Sequence, residues 1–259
     1  MSEALLTIDW PPPPPPRALS TEGLVIYAVG DVHGRYDLLK LALGQIATDC
    51  TGEAASRLPM LVLLGDYIDR GPDSAKVLQA LVWLRRRGEF HLRLLKGNHE
   101  QALLAFLEDP ERHADWLGFG GAETLASYGV APPPPGADAS VLIRARDSLL
   151  DLMPASHLQL LEELETMVLV GDYAFVHAGV RPDRPLASQT ETDLLWIRRG
   201  FVDATGPFER MIVHGHTWVS DQPQVTEHRI GLDTGAYATG VLTVARLDAK
   251  GMRLVQVHA

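Results

Sequence analysis

From Gly23 onward, short apolar runs alternate with stretches of helical periodicity. Residues 24–29, 60–64 and 90–95 read as buried strands, each with turn glycines close behind. Between them, residues 37–47 place Leu38, Leu39, Leu41, Ala42 and Ile46 on one helical face. Ser74–Arg87 does the same with Val77, Leu78, Leu81, Val82 and Leu84, and ends in a basic turn followed by Gly88, a helix stop signal. This strand–helix–strand–helix rhythm predicts an α/β fold whose first sheet is mostly parallel. Residues 101–165 read as largely helical, broken by a turn at 118–121 and a surface loop at the proline run 132–135. The last third changes character. Residues 168–170, 173–176, 210–213, 229–232, 241–247 and 253–257 read as short strands with few helices between, which predicts a second sheet, mixed or antiparallel. With no internal repeat and no linker after residue 23, residues 23–259 are expected to form one catalytic domain: α/β, two packed mixed β-sheets flanked by helices.

Residues 1–22 stand apart. Their unbroken proline run at 11–16 is stiff and lacks backbone donors, as expected of a disordered proline-rich tail or spacer. A ligand for a proline-binding domain is the alternative. At 46% hydrophobic residues, the chain of 259 can bury a full core. Its formal net charge of −10 argues against a nucleic-acid partner and offers no attraction to an anionic membrane. A single cysteine, Cys50, excludes an intrachain disulfide and a cysteine zinc site. The first residues lack a signal peptide's basic start and apolar run, and no stretch approaches the ~20 apolar residues of a membrane span. A cytoplasmic protein is expected.

Chemistry concentrates in five short motifs placed just after apolar runs. They are Gly30-Asp31-Val32-His33-Gly34, Gly65-Asp66-Tyr67-Ile68-Asp69-Arg70-Gly71, Gly97-Asn98-His99-Glu100, Val176-His177-Ala178-Gly179 and Gly215-His216-Thr217. In open α/β sheets, ligand sites lie beyond the carboxyl ends of the strands, so these side chains can converge on one crevice. Asp31 and Asp66 carry two negative charges; Asn98 and neutral His33, His177 and His216 carry none. Two divalent cations bound there leave a net positive site suited to a phosphate dianion and to charge that builds up during in-line attack. Mixed oxygen and imidazole ligands suit manganese, iron or zinc better than calcium or magnesium. Taken singly, each motif also fits an ordinary turn; the set, in order and after strands, carries the reading. His91, His113, His157, His228 and His258 lack such a context and read as surface or structural. His214, two residues from His216, reads as a supporting residue rather than a ligand.

This ordered set resembles the calcineurin-like metallophosphoesterases. More narrowly it resembles their PPP-type serine/threonine protein phosphatases, especially the bacterial and phage branch, over roughly residues 24–247. The resemblance implies a four-layer αββα sandwich. It implies that Asp31 and His33 bind a first metal, that Asp66 bridges two, and that Asn98, His177 and His216 complete the second. Where one branch of the superfamily carries a second histidine in its last motif, this chain has Trp218, as PPP-type enzymes do not use that ligand. His99 matches the proton donor and Asp69 its carboxylate partner; the resemblance implies a metal-bridging hydroxide as the nucleophile that attacks phosphorus directly. Arg70 matches a phosphate-binding arginine and Arg198 resembles a second, with Arg199 beside it. Asn98 and Lys96 are further expected phosphate contacts; Lys96 stands where some relatives carry arginine and supplies charge without the guanidinium fork. Asp233, in Leu232-Asp233-Thr234-Gly235, recurs in the bacterial branch as a supporting residue.

Three functions follow as expectations. The first is a metal-dependent phosphoprotein phosphatase acting on phosphoserine and phosphothreonine in a protein or peptide. The second is symmetrical cleavage of diadenosine tetraphosphate, by a sister group sharing the Asp-Thr-Gly and the motif order. That group usually has glutamine where His33 stands, so His33 favours the phosphatase. The third, a catalytically dead binding module, predicts decayed ligands, and none is missing. The loops at 116–128 and 132–135 are expected to shape the cleft mouth.

Overall fold

Three strands lay down the first sheet: β1 (Ile26–Val29), β2 (Met60–Leu63) and β3 (His91–Leu94), all parallel, with Val29 opposite Leu63 and Leu63 opposite Leu94. β3, expected as a buried strand, buries only Leu94 and leaves His91 exposed. The structure is a computed structural model that describes residues 19–50 and 58–259. The proline run at 11–16, and with it most of the expected tail, lies outside the described residues. Every residue of β1 and β2 is buried, because the sheet is covered on both faces. On one face lie α1 (Tyr36–Cys50), which buries Leu38, Leu39, Ala42 and Ile46, and α2 (Ser74–Arg87), which buries the five aliphatic residues its periodicity predicts. Gly88 ends α2 in the left-handed region, its N–H returned to the Leu84 carbonyl.

Next come α3 (Asn98–Glu108), a 3-10 helix at Ala114–Phe119, α4 (Gly121–Ser127), α5 (Ala139–Leu152) and α6 (Ala155–Glu162). The second sheet contains β4 (Met167–Val170), β5 (Tyr173–Val176), β6 (Met211–His214), β7 (Gln224–Val225) and β8 (Arg229–Gly231), in the order β4-β5-β6-β8-β7. β5, β6 and β8 are parallel, with an antiparallel strand at each edge. Short helices α7 (Glu191–Trp196) and α8 (Arg199–Val202) sit between β5 and β6, and α9 (Ala236–Thr239) follows β8.

One further expectation needs correction. β9 (Val241–Asp248) and β10 (Gly251–His258) do not extend the second sheet. They form a hairpin that returns to the first, where β9 pairs antiparallel with β1, Val244 opposite Val29, giving the order β10-β9-β1-β2-β3. The hairpin covers the edge that β1 would otherwise leave open. Helices α7 to α9 are too short for a 3.6-residue period to reveal.

Alternation along each strand divides the core into layers. Tyr27 and Val29 face the helices, while Ile26 and Ala28 face the second sheet. There they meet Val168, Phe175 and Val213, whereas Ala174, Val176 and Ile212 point outward against Leu194 and Phe201. The result is helices, sheet, sheet, helices: the four-layer sandwich. The end of the expected tail is held in place. Leu19 packs against the inter-sheet core, and the Ser20 N–H donates to Asp172 at 2.7 Å. Among the described residues, no helix is long and apolar enough to cross a membrane.

Candidate metal centre

All five motifs fall at strand ends on the same side of the sandwich. Asp31 and His33 follow β1, Asp66 follows β2, Asn98 and His99 open α3 just beyond β3, His177 follows β5, and His216 follows β6. Backbone hydrogen bonds tie the loops to one another: the Val32 and His33 N–H groups donate to the Asp66 carbonyl, and the Gly215 N–H to the His177 carbonyl. His33, Asp66, Asp69, Arg70 and His216 are non-glycine residues in the left-handed region. Such backbone costs about 1–3 kcal/mol per residue and clusters at functional loops.

Asp66 is the centre of the arrangement. Its Oδ2 lies 3.4 Å from His33 Nε2 and 3.9 Å from His99 Nε2, and its Oδ1 lies 3.4 Å from His177 Nε2. Two clusters therefore share this carboxylate, His33–Asp66–His99 and Asp66–His177–His216, all buried. Hydrogen bonds fix the imidazole tautomers. Nδ1 of His33 donates to the Ile68 carbonyl at 2.9 Å and Nδ1 of His177 to the Leu64 carbonyl at 2.8 Å. Each Nε2 then turns a lone pair toward the carboxylate. His177 Nε2 also lies 3.0 Å from Asn98 Oδ1, so three acceptor atoms crowd one point. His216 Nε2 and Asp31 Oδ1 are buried with no hydrogen-bond partner.

Electrostatics point the same way. Burial drives His33 down to about 3 and His216 to about 2, so both rings are neutral and ready to ligate. Burial, with the adjacent Asp233 and Asp66 carboxylates, pushes Asp31 well above the carboxylate range. Asp233, driven mainly by burial, rises to about 6. Against burial, the surrounding imidazoles, His177 foremost, hold Asp66 below its ordinary value. Crowded acidic oxygens, orphaned acceptors and neutral imidazoles fit divalent cations.

Beside this centre, His99 Nδ1 meets Asp69 Oδ2 at 2.7 Å, and both residues are buried. Burial works against a charged His99, but Asp66 and Asp69 outweigh it and raise its pKa. Arg70 reaches His33 Nε2 at 3.1 Å, with its guanidinium 4.7 Å from the centre of the Tyr237 ring. Arg198 is exposed and close enough to His177 and His216 to add to the burial that depresses both, whereas Arg199 begins α8. Lys96, expected as a phosphate contact, instead donates to Glu191 at 3.0 Å. His214 supports the last loop: Nδ1 donates to the Gly215 carbonyl at 2.9 Å, and Nε2 faces Arg229 Nη1 at 3.3 Å. Asp233 accepts from the Gly235 N–H. Trp218 packs over Gly235 and edge-on to Tyr237.

Glu100 supports the site in a way its motif alone does not reveal. Its buried carboxylate accepts the N–H groups of Asp66, Tyr67 and Gly97 at 2.7–2.9 Å, tying two motifs together. The available signal was its position, three residues after Gly97, where a helix's reach-back acceptor falls.

Comparison with known proteins gives a consistent picture. The calcineurin-like phosphoesterase family matches residues 24–234. Serine/threonine-protein phosphatase 2 of Escherichia coli is 36% identical over 98 residues, 37% of this chain and 38% of that protein. A symmetrical bis(5'-nucleosyl)-tetraphosphatase of Ectopseudomonas mendocina is 30% identical over 63% of this chain and 48% of its own length. The chain thus spans less than half of either relative. The asymmetrical bis(5'-nucleosyl)-tetraphosphatase PrpE of Bacillus velezensis is 27% identical over 83% of this chain and 86% of its own. Among solved structures, a putative diadenosine tetraphosphatase superposes with a TM-score of 0.61 at 21% identity, covering 92% of this chain and 96% of that one. A serine/threonine phosphatase of Saccharomyces cerevisiae also gives 0.61, at 16% identity, over 92% and 81%. With its motifs gathered on one rim of a two-sheet sandwich, and a family match across most of its length, the chain belongs to the calcineurin-like phosphoesterases.

Proposed function

We propose that this phosphoesterase hydrolyses dinucleoside polyphosphates such as diadenosine tetraphosphate. The observation that carries this reading is the breadth of the likeness to PrpE, 83% of this chain and 86% of that protein, against 37% and 38% for the phosphatase. A phosphoserine and phosphothreonine phosphatase is the second reading. It is favoured by His33 within the candidate ligand set and by an intact His99–Asp69 pair, since an alkoxide leaving group needs protonation most.

The same residues serve either substrate. Asp31, His33 and Asp66 would hold one divalent cation; Asp66, Asn98, His177 and His216 would hold another. When bound, such cations acidify a water molecule and offset the negative charge of the phosphoryl oxygens. Arg70 and Arg198 bind the phosphoryl oxygens and align the phosphorus for in-line attack. The oxygen of that water, one proton given up to solvent, would form the new bond to phosphorus as the bond to the leaving oxygen breaks. His99 Nε2 gives its proton to that departing oxygen, while Asp69 holds Nδ1–H and fixes the ring.

Turnover of diadenosine tetraphosphate and of a phosphoserine peptide by the manganese-loaded protein separates the readings. The proposal expects the dinucleotide to be preferred in kcat/KM. ADP as sole product indicates symmetrical cleavage, and ATP with AMP asymmetrical cleavage. A peptide preference replaces the proposal with the second reading.

A further inference from the structure

Asp69 is fully buried, so something other than water must hold its carboxylate. Oδ2 accepts from Trp116 Nε1 at 2.9 Å as well as from His99 Nδ1 at 2.7 Å. Oδ1 accepts from Thr124 Oγ1 at 2.6 Å. The same threonine oxygen receives the Asp69 backbone N–H at 2.9 Å, so one hydroxyl grips residue 69 at both ends. Ser74 Oγ completes the set, 3.0 Å from the Asp69 nitrogen and 3.0 Å from Thr124 Oγ1. The next residue is held by the same corner of the chain: the Arg70 N–H donates to the Gly120 carbonyl at 3.2 Å. Gly120 has φ 110, and a Cβ there would come within 2.5 Å of the Arg70 nitrogen.

Trp116 and Thr124 flank the corner between the 3-10 helix and α4 and belong to none of the five motifs. Neither is among the metal-ligand candidates. Their polar atoms converge on one group, the carboxylate that orients His99. We propose that Trp116 and Thr124 are positioning residues: they aim Asp69 at His99 Nδ1 and thereby point Nε2, the proton donor, at the leaving oxygen. The inference rests on His99 being that donor. Without the indole N–H or the threonine hydroxyl, the carboxylate loses a partner it cannot replace with water and is free to turn from His99. The imidazole then loses its aim, and protonation of the leaving group suffers before substrate binding does.

Trp116 is also core, its ring 4.8 Å from Phe106, so the test must separate aim from packing. The variants are Trp116→Phe, which keeps an aromatic ring, Thr124→Val, which keeps the shape, Thr124→Ser, which keeps the hydroxyl, and His99→Asn. The manganese-loaded proteins are assayed on phosphate esters with leaving groups from nitrophenol to simple alkanols. We expect His99→Asn to lose more kcat as the leaving group worsens. Trp116→Phe and Thr124→Val should show the same graded loss, roughly 10- to 100-fold on the alkyl esters and several-fold smaller on nitrophenyl phosphate, with KM little changed. Thr124→Ser should return most of it. Losses equal across the series in Trp116→Phe and Thr124→Val, beside a graded His99→Asn, overturn the inference and leave the role of His99 standing. An ungraded His99→Asn removes that role and the inference with it. Should Trp116→Phe fail to fold, Thr124→Val against Thr124→Ser decides alone.

Discussion

The backbone N–H of His216 donates to Asp31 Oδ2 at 2.9 Å, joining the end of β6 to the end of β1 across 185 positions of sequence. This bond stitches the two sheets together at the rim where the motifs meet. It requires a close approach: a Cβ on Gly215 would stand 1.9 Å from Asp31 Oδ1. Gly215→Ala should therefore force the loops apart and spoil the site without disturbing the sheets. Bound manganese by elemental analysis should fall, and kcat should drop by ~10²-fold or more. Full metal content and activity would show that the two loops need not meet.

Asp66 touches three imidazoles and lies in both clusters. Asp66→Asn keeps the shape and removes the charge. Turnover should fall at least ~10³-fold, with circular dichroism and unfolding midpoint near those of the parent. Unchanged activity would overturn the bridging assignment.

Glu100 receives three short backbone hydrogen bonds from two motifs. Glu100→Ala leaves these buried donors without an acceptor, at about 1–3 kcal/mol each. Urea unfolding of the metal-free protein should show a loss of ~3 kcal/mol or more. A loss below ~1 kcal/mol would mean that the loops hold themselves.

His214 gives a pH signature separable from the metal site. Burial lowers it to about 3 in the folded chain, whereas an unfolded histidine titrates near 6.5. As pH falls below 6.5, the unfolded state takes up the proton first, so stability falls with pH. Between pH 7.5 and 5.5 this one residue removes about 1.4 kcal/mol. His33 acts in the same direction, while raised Asp31 and Asp233 oppose it. The difference between parent and His214→Gln isolates the effect: metal-free parent should lose ~1.4 kcal/mol more than the variant over that interval. Parallel curves would contradict the burial account.

Much of the site was legible because its candidate ligands sit directly after strands, where local pattern and chemistry coincide. Asp31, His33, Asp66, Asn98, His177 and His216 are all buried; His33, Asp66, His177 and His216 fall in the two clusters, Asn98 meets His177, and Asp31 accepts the His216 N–H. What escaped depends on partners distant in sequence. An apolar run identifies β9 as a strand but not its neighbour β1, more than 200 residues away. Trp116 and Thr124 look like ordinary core and helix residues until Asp69, 47 and 55 positions earlier, is folded against them. Lys96 reads as a phosphate contact until Glu191 is placed opposite. Arg198 and Arg199 became distinguishable only once α8 fixed which of them faces the histidines.

The most direct measurement is an anomalous-scattering map from a crystal grown with manganese. Two peaks are predicted on either side of the Asp66 carboxylate, one beside Asp31 and His33, the other beside Asn98, His177 and His216. Well-ordered side chains with no peak at Asp66, or manganese bound only elsewhere, would contradict the dinuclear account.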